Sequence, residues 1–210
     1  MASTQQLRQR ISSVKNTKQI TKAMEMVAAS KLRRAQDAAV SSREFAKIAN
    51  EILTRIRQLT DVERHPLFTR RVIKNRLLIV VSSDRGLAGG YNASLLKLFA
   101  AELKKDSKDG VDNKIITVGK KATTFTTKVH DLEVIGAYHD FVDNPTAEDL
   151  RPILITALTG FQKGDFDAVD IVYTDFISSV NQLPRTSRLL PVAFEDVELS
   201  SHLEDAVFEP

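Results

Sequence analysis

No proline precedes Pro66 and no glycine precedes Gly86. This opening without helix breakers constrains the fold more than any other feature, because Pro and Gly are the residues that most often end or interrupt helices. Ser3 or Thr4 can serve as an N-cap. An apolar stripe follows at Leu7, Ile11, Val14, Ile20, Met24, Val27, Leu32, Ala35 and Ala39, and resumes at Ala46, Ala49, Leu53, Ile56 and Leu59. Its steps are mostly three or four, the spacing of one helix face. The pattern predicts a single helix from about Thr4 to about Thr60, on the order of 85 Å long at ~1.5 Å per residue. A helix this long with one narrow apolar stripe is not stable alone in water. It needs a partner helix or an enclosing sleeve, and the small residues Ala28, Ala35, Ala38 and Ala39 would let that partner approach closely.

Charge is divided as sharply as the breakers. Residues 1–76 carry 17 Lys and Arg against 6 Asp and Glu, whereas residues 77–210 carry 13 against 21. A basic arm is joined to an acidic body, an asymmetry that points to an anionic partner for the arm. Nucleic acid, a membrane surface and an acidic protein all qualify at this point. No aromatic residue occurs before Phe45, so the stacking groups used on single-stranded nucleic acid are missing from the most basic stretch. The narrow stripe likewise lacks the aromatic and bulky residues of a helix that lies in a membrane surface. A protein sleeve with acidic edges fits best.

After His65-Pro66 and a basic connector through Arg70, Arg71, Lys74 and Arg76, the pattern changes. Leu77–Val81 is a continuous apolar run of strand length, as in a parallel strand buried on both faces. The reading continues as a turn over Ser82–Gly90 and a helix over Tyr91–Lys105 with Asn92 or Ser94 near its start. A strand follows over Lys114–Val118, then a Thr-rich helix over Lys120–Val129 and a short strand over Leu132–Ile135. A helix capped by Thr146 runs to about Gln162, and Val169–Tyr173 is another strand. Further strands are expected over Phe176–Val180 and Arg188–Val192, around a break at Asn181–Pro184. From Phe194 the chain turns acidic and irregular. Strands alternating with helices predict an α/β body with a mostly parallel sheet. The domain reading is a long helix over 1–65, a linker over 66–76, the α/β domain over 77–193 and an acidic connector over 194–210.

The segment Ser82-Ser83-Asp84-Arg85-Gly86-Leu87-Ala88-Gly89-Gly90-Tyr91-Asn92 sits between a strand and a helix, where dinucleotide-binding loops sit. Its glycines do not follow G-x-G-x-x-G, the second strand ends Val118-Gly119-Lys120 with no acid for a ribose, and no phosphate-loop pattern G-x-x-x-x-G-K-[ST] occurs. Asp84, Arg85, Gly86, Gly89 and Gly90 are therefore read as a structural turn or subunit contact, with Asp84 and Arg85 as an exposed local ion pair. Cysteine is absent, which removes disulfides, thiolate nucleophiles and zinc-thiolate sites. His65, His130, His139 and His202 are scattered, and there is no G-x-S-x-G elbow. No catalytic residue, metal site or cofactor is expected. The competing readings are a nucleic-acid-binding protein with a basic arm and a nucleotide-dependent enzyme using the glycine turn. The longest apolar run, Leu77–Val81, is far too short to cross a bilayer, and Met1–Lys22 lacks the apolar core of a secretory signal.

Two long stretches resemble a known family. Leu7-Arg8-Gln9-Arg10-Ile11-Ser12-Ser13-Val14-Lys15-Asn16-Thr17-Lys18-Gln19-Ile20-Thr21-Lys22-Ala23-Met24-Glu25-Met26-Val27-Ala28-Ala29-Ser30-Lys31 resembles the N-terminal helix of ATP synthase gamma subunits, and Ser83–Asn92 resembles the same family's glycine turn. The order of elements agrees along the whole chain. The resemblance implies a rotor shaft inside a ring of alpha and beta subunits, which bind and turn over the nucleotide while the shaft has no active site. It implies a Rossmann-like α/β domain contacting the epsilon subunit and the membrane c-ring. It also implies an N-terminal helix paired with a C-terminal one as an antiparallel coiled coil, peripheral to the cytoplasmic face of a bacterial cell membrane. Ile20, Lys22, Met24 and Val27 are the contacts with the alpha/beta head that the resemblance implies; Ile20, Lys22 and Met24 fall in the family's segment near an acidic beta-subunit loop, with Lys22 and Met24 as the implied torque contacts. The family pattern continues past the equivalent of Glu209-Pro210 into that second long helix, so the sequence is expected to stop short of it and to leave the stripe of the first helix without its partner.

Overall fold

The computed structural model describes residues 3–59, 65–129, 131–141, 145–178 and 180–192. The acidic stretch 194–210, His130 and His202 lie outside them. The chain divides into two compact units, 1–47 and 48–210. The first is helix alone. Helix α1 runs Thr4–Leu59, so the uninterrupted stripe does specify one long helix. Every residue from Ser3 to Ala35 is exposed. The last turns of α1 belong to the second unit, where Glu51 is buried and Leu53, Thr54 and Arg55 are half-buried.

The rest of the second unit is an α/β body. In chain order it holds β1 Asn75–Val81, α2 Tyr91–Asp109, β2 Asp112–Val118, α3 Lys120–Thr126, β3 Glu133–Tyr138, α4 Ala147–Lys163, β4 Ala168–Phe176 and β5 Gln182–Leu190. The sheet order is β3-β2-β1-β4-β5. The first four strands are parallel and β5 closes the sheet antiparallel to β4. This is the mostly parallel architecture that the strand–helix alternation predicts.

The apolar run in β1 is explained by burial on both faces. Leu77 and Ile79 join Ile116, Val169 and the α4 residues Ile153, Ala157 and Phe161 in one core. The intervening Leu78 and Val80 join Ile115 and Val172 with Leu95 and Phe99 of α2 and Ala122 of α3 in the other. Alternation of side chains across a strand divides the run between the two cores. Thr146 caps α4 with a capping box, its hydroxyl accepting from the Asp149 N–H and the Asp149 carboxylate accepting from the Thr146 N–H. Helix α2 begins at Tyr91, as expected, with Gly90 at its N-cap position and Asn92 in its first turn. It runs past Lys105 to Asp109, where Gly110 ends it in a left-handed conformation, φ 70°.

The expected strand at Phe176–Val180 and break at Asn181–Pro184 are corrected. Strand β4 ends at Phe176, and a hairpin turn follows in which the Ile177 and Ser178 N–H groups donate to the Asn181 carbonyl. Strand β5 starts at Gln182 and runs through Pro184, which faces Thr174. The proline is tolerated because β5 is an edge strand, where a missing N–H costs no ladder partner on the open side. The strand expected over Arg188–Val192 ends at Leu190, before the cis Leu190–Pro191 bond.

Candidate functional site: the helical arm and the glycine turn

Three expected contact residues lie together on the arm and one does not. At about 100° per residue, Ile20, Met24 and Val27 share one face of α1 and lie 61%, 51% and 56% exposed. Lys22 falls about 200° around the helix from Ile20, and its ammonium pairs with Glu25 at 3.3 Å on the exposed surface. Thr17 and Thr21 donate their hydroxyls back to the Ser13 and Thr17 carbonyls, which satisfies polar side chains within the helix instead of reserving them for a partner. The arm thus presents an apolar face and a basic face that no single flat surface can cover.

The glycine turn is held from inside. The Ser82 N–H donates to the Val118 carbonyl, and its hydroxyl accepts from the Ala122 N–H at 2.8 Å near the start of α3. Ser83 and Asn92 bond each other through side chains, tying the turn to the first residues of α2. Among the described residues Asp84 and Arg85 form no ion pair; Asp84 is engaged by the backbone instead. Its carboxylate accepts from the backbone N–H of Lys120 at 2.9 Å and of Asp140 at 3.0 Å. A carboxylate at a helix start stands where an anionic ligand would otherwise meet the free N–H groups, so the chain fills that position itself. Lys120 also reaches Asp140 at 2.6 Å. Hydrogen bonds from Lys120 and then from His139 hold the Asp140 carboxyl below the usual carboxylate range.

The glycines of the turn are not demanded by packing in the body. A Cβ on Gly86 would meet nothing nearer than the Lys121 Nζ at 3.9 Å, and one on Gly90 nothing nearer than the Ser94 Oγ at 3.9 Å. Of the three, only Gly89 has positive φ, at 54°. Residues 85–90 are all exposed. Beside the turn, a glycine that packing does require is Gly119, with φ 94° and a would-be Cβ only 2.3 Å from the Ser82 carbonyl oxygen.

A second charged cluster escaped the sequence reading. Arg76, only 7% exposed, donates to Asp170, 1% exposed. It also bonds Glu102 at 2.9 Å and Asp106 at 2.8 Å. Arg188 of β5 donates to the same Asp170. Burial disfavours the charged guanidinium of Arg76, but the charge of Asp170 and the hydrogen bonds of Asp106, Glu102 and Asp170 outweigh it and hold its pKa above the ordinary value. The readable signal is Asp170 within Val169-Asp170-Ile171-Val172, since a carboxylate inside a buried strand requires a cation. Among the described residues, no group of three or more His, Asp or Glu is arranged to hold a metal, and no helix is long and apolar enough to cross a membrane.

Comparison with known proteins now bears on these surfaces. The ATP synthase family model matches residues 3–210. ATP synthase gamma chains of Glaesserella parasuis and Stenotrophomonas maltophilia are 37% and 35% identical over 212 and 211 residues, covering 100% of this chain and 73% of each relative. The chain belongs to the ATP synthase gamma family. A gamma chain of Moorella thermoacetica is 36% identical over 92% of this chain and 67% of its own length. In fold, the chain is similar to the central stalk of the Tetrahymena thermophila mitochondrial ATP synthase, with TM-score 0.61 and 24% identity over 82% of this chain and 72% of that one. It is also similar to the rotor of the Euglena gracilis enzyme, with TM-score 0.52 and 17% identity over 87% of this chain and 61% of that one. Membership in the gamma family covers the arm, the glycine turn and the body together.

Proposed function

We propose that this gamma-family chain is the central shaft of a rotary ATP synthase and couples proton flow through a membrane rotor to ATP synthesis in an alpha/beta head. The observation that carries the proposal is the arm: a breaker-free helix whose apolar and basic faces both lie exposed. A shaft needs both, one face for a partner helix and the other for the sleeve in which it turns. Ile20, Met24 and Val27 would meet the partner helix, and Lys22 would meet acidic surface on the head. This divides the expected contacts by face. The exposed turn at Arg85–Gly90 would offer close backbone approach to a neighbouring subunit. The body would contact the epsilon subunit and the c-ring on the cytoplasmic face of a bacterial membrane.

On this reading the chain carries no active site, and chemistry stays in the alpha and beta subunits. Coupling is then a difference in interaction energy: each shaft orientation favours one conformation of each beta subunit over the others. The test is ATP-driven proton pumping by membrane vesicles whose own gamma chain has been removed. Restoring this chain is expected to restore pumping, and Lys22→Glu to lower it while the complex still assembles. Pumping that is equal with and without the chain would refute the proposal.

A further inference from the structure

The connector between arm and body reads in sequence as a basic linker, yet the structure fixes it at successive points. Leu67 packs against the core beside α4, and its carbonyl accepts from the Val192 N–H at 2.9 Å. Arg71 donates to the Phe161 carbonyl at 3.1 Å, in the last turn of α4, and its guanidinium lies 5.1 Å from the centre of the Phe161 ring. The Lys74 and Asn75 N–H groups both donate to one oxygen of Asp167, each at 2.9 Å. The Asn75 and Lys74 carbonyls in turn accept from the Asp167 and Asp112 N–H groups, each at 2.8 Å. Arg76 then enters the buried cluster with Glu102, Asp106 and Asp170.

A flexible linker joins two bodies while letting each rotate freely. This segment is instead tied through backbone and side chain to α4, to the turn before β4, to β2 and to α2. Because the ties reach several different elements, twisting the segment would break several at once. We propose that residues 67–76 form a torque-bearing joint, in which Arg71 and Asp167 are positioning residues that stop the connector from swivelling on the body. The inference rests on the shaft reading and adds to it the place where stiffness is built.

The experiment measures torsional stiffness in the complete complex. The head is fixed to a surface and a probe is attached to the body through Lys108→Cys, a unique thiol in this chain because it has no native cysteine. Angular fluctuation is recorded without nucleotide turnover. The double variant Arg71→Ala/Asp167→Ala is expected to widen the angular variance severalfold, and Arg71→Ala alone, the milder change, to widen it less. Thr146→Ala removes the cap of α4 away from the connector and is expected to leave the variance unchanged. Amide exchange at Lys74 and Asn75 is expected to accelerate in Asp167→Ala and not in Thr146→Ala.

Unchanged variance in the assembled double variant would overturn the joint, as would equal widening in Thr146→Ala, which would indicate general softening. If the unaltered body fails to rotate when the head hydrolyses ATP, the shaft reading itself fails and the joint with it.

Discussion

Asp170 shows how one residue ties several elements. It sits in β4 between apolar neighbours and receives guanidinium groups from β1 and β5, while Arg76 extends the same cluster to α2. Removing one partner from a buried charge set leaves an uncompensated charge, which costs about 3–5 kcal/mol. Arg76→Met is therefore expected to lower the urea midpoint by about that much stability with an unchanged slope; a loss within about 0.5 kcal/mol, as at ordinary surface sites, would show that the cluster is dispensable. The sequence made β1 and the core residues legible because apolar alternation is a local pattern. It hid the cluster because Arg76, Glu102, Asp106, Asp170 and Arg188 come together only when the sheet forms. Asp84 was misread for a related reason: its partners are backbone N–H groups, which no side-chain pattern records.

The carboxylates that accept backbone N–H groups also set a dependence on pH. Asp149 is held low by the backbone and side chain of Thr146. At Asp167 burial pushes the pKa up, but the Asn75 and Lys74 N–H groups outweigh it and leave it lowered. A group lowered on folding contributes stability that is complete above its unfolded value, about 3.9 for Asp, and is lost as pH falls through the depressed folded value. Unfolding by urea is expected to become easier below about pH 4, and Asp167→Asn to flatten that fall. An identical acid limb in the variant would show that Asp167 contributes nothing to it.

At the scale of elements, α1 and β5 mark the two ways in which local pattern meets tertiary context. Helix α1 was legible because breakers are absent and the stripe is long, but what covers it is not a property of the helix alone. Residues 3–35 are exposed throughout, and a helix without packing on its apolar face is marginal in water. Backbone amides of the first eight turns are expected to exchange far faster than those of β1, and helicity to rise with protein concentration as stripes associate. Slow exchange at every arm amide in dilute monomer would contradict this. Strand β5 was misplaced because Pro184 reads as a break. Only the sheet order, which puts β5 at an edge, makes a proline inside a strand acceptable.

For the whole molecule, the basic arm, the acidic body and the anchored connector fit the proposed role of a part that transmits force while the chemistry lies in other subunits. Membership in the ATP synthase gamma family supports the same account. As a shaft, the chain would stand alone at the centre of a ring, and stoichiometry tests that most directly. Native mass spectrometry of the chain co-expressed with matching alpha and beta subunits is predicted to find one copy for every three alpha and three beta. A complex with several copies per ring, or an alpha/beta ring that never takes up the chain even when it is extended to the full length of its relatives, would contradict it.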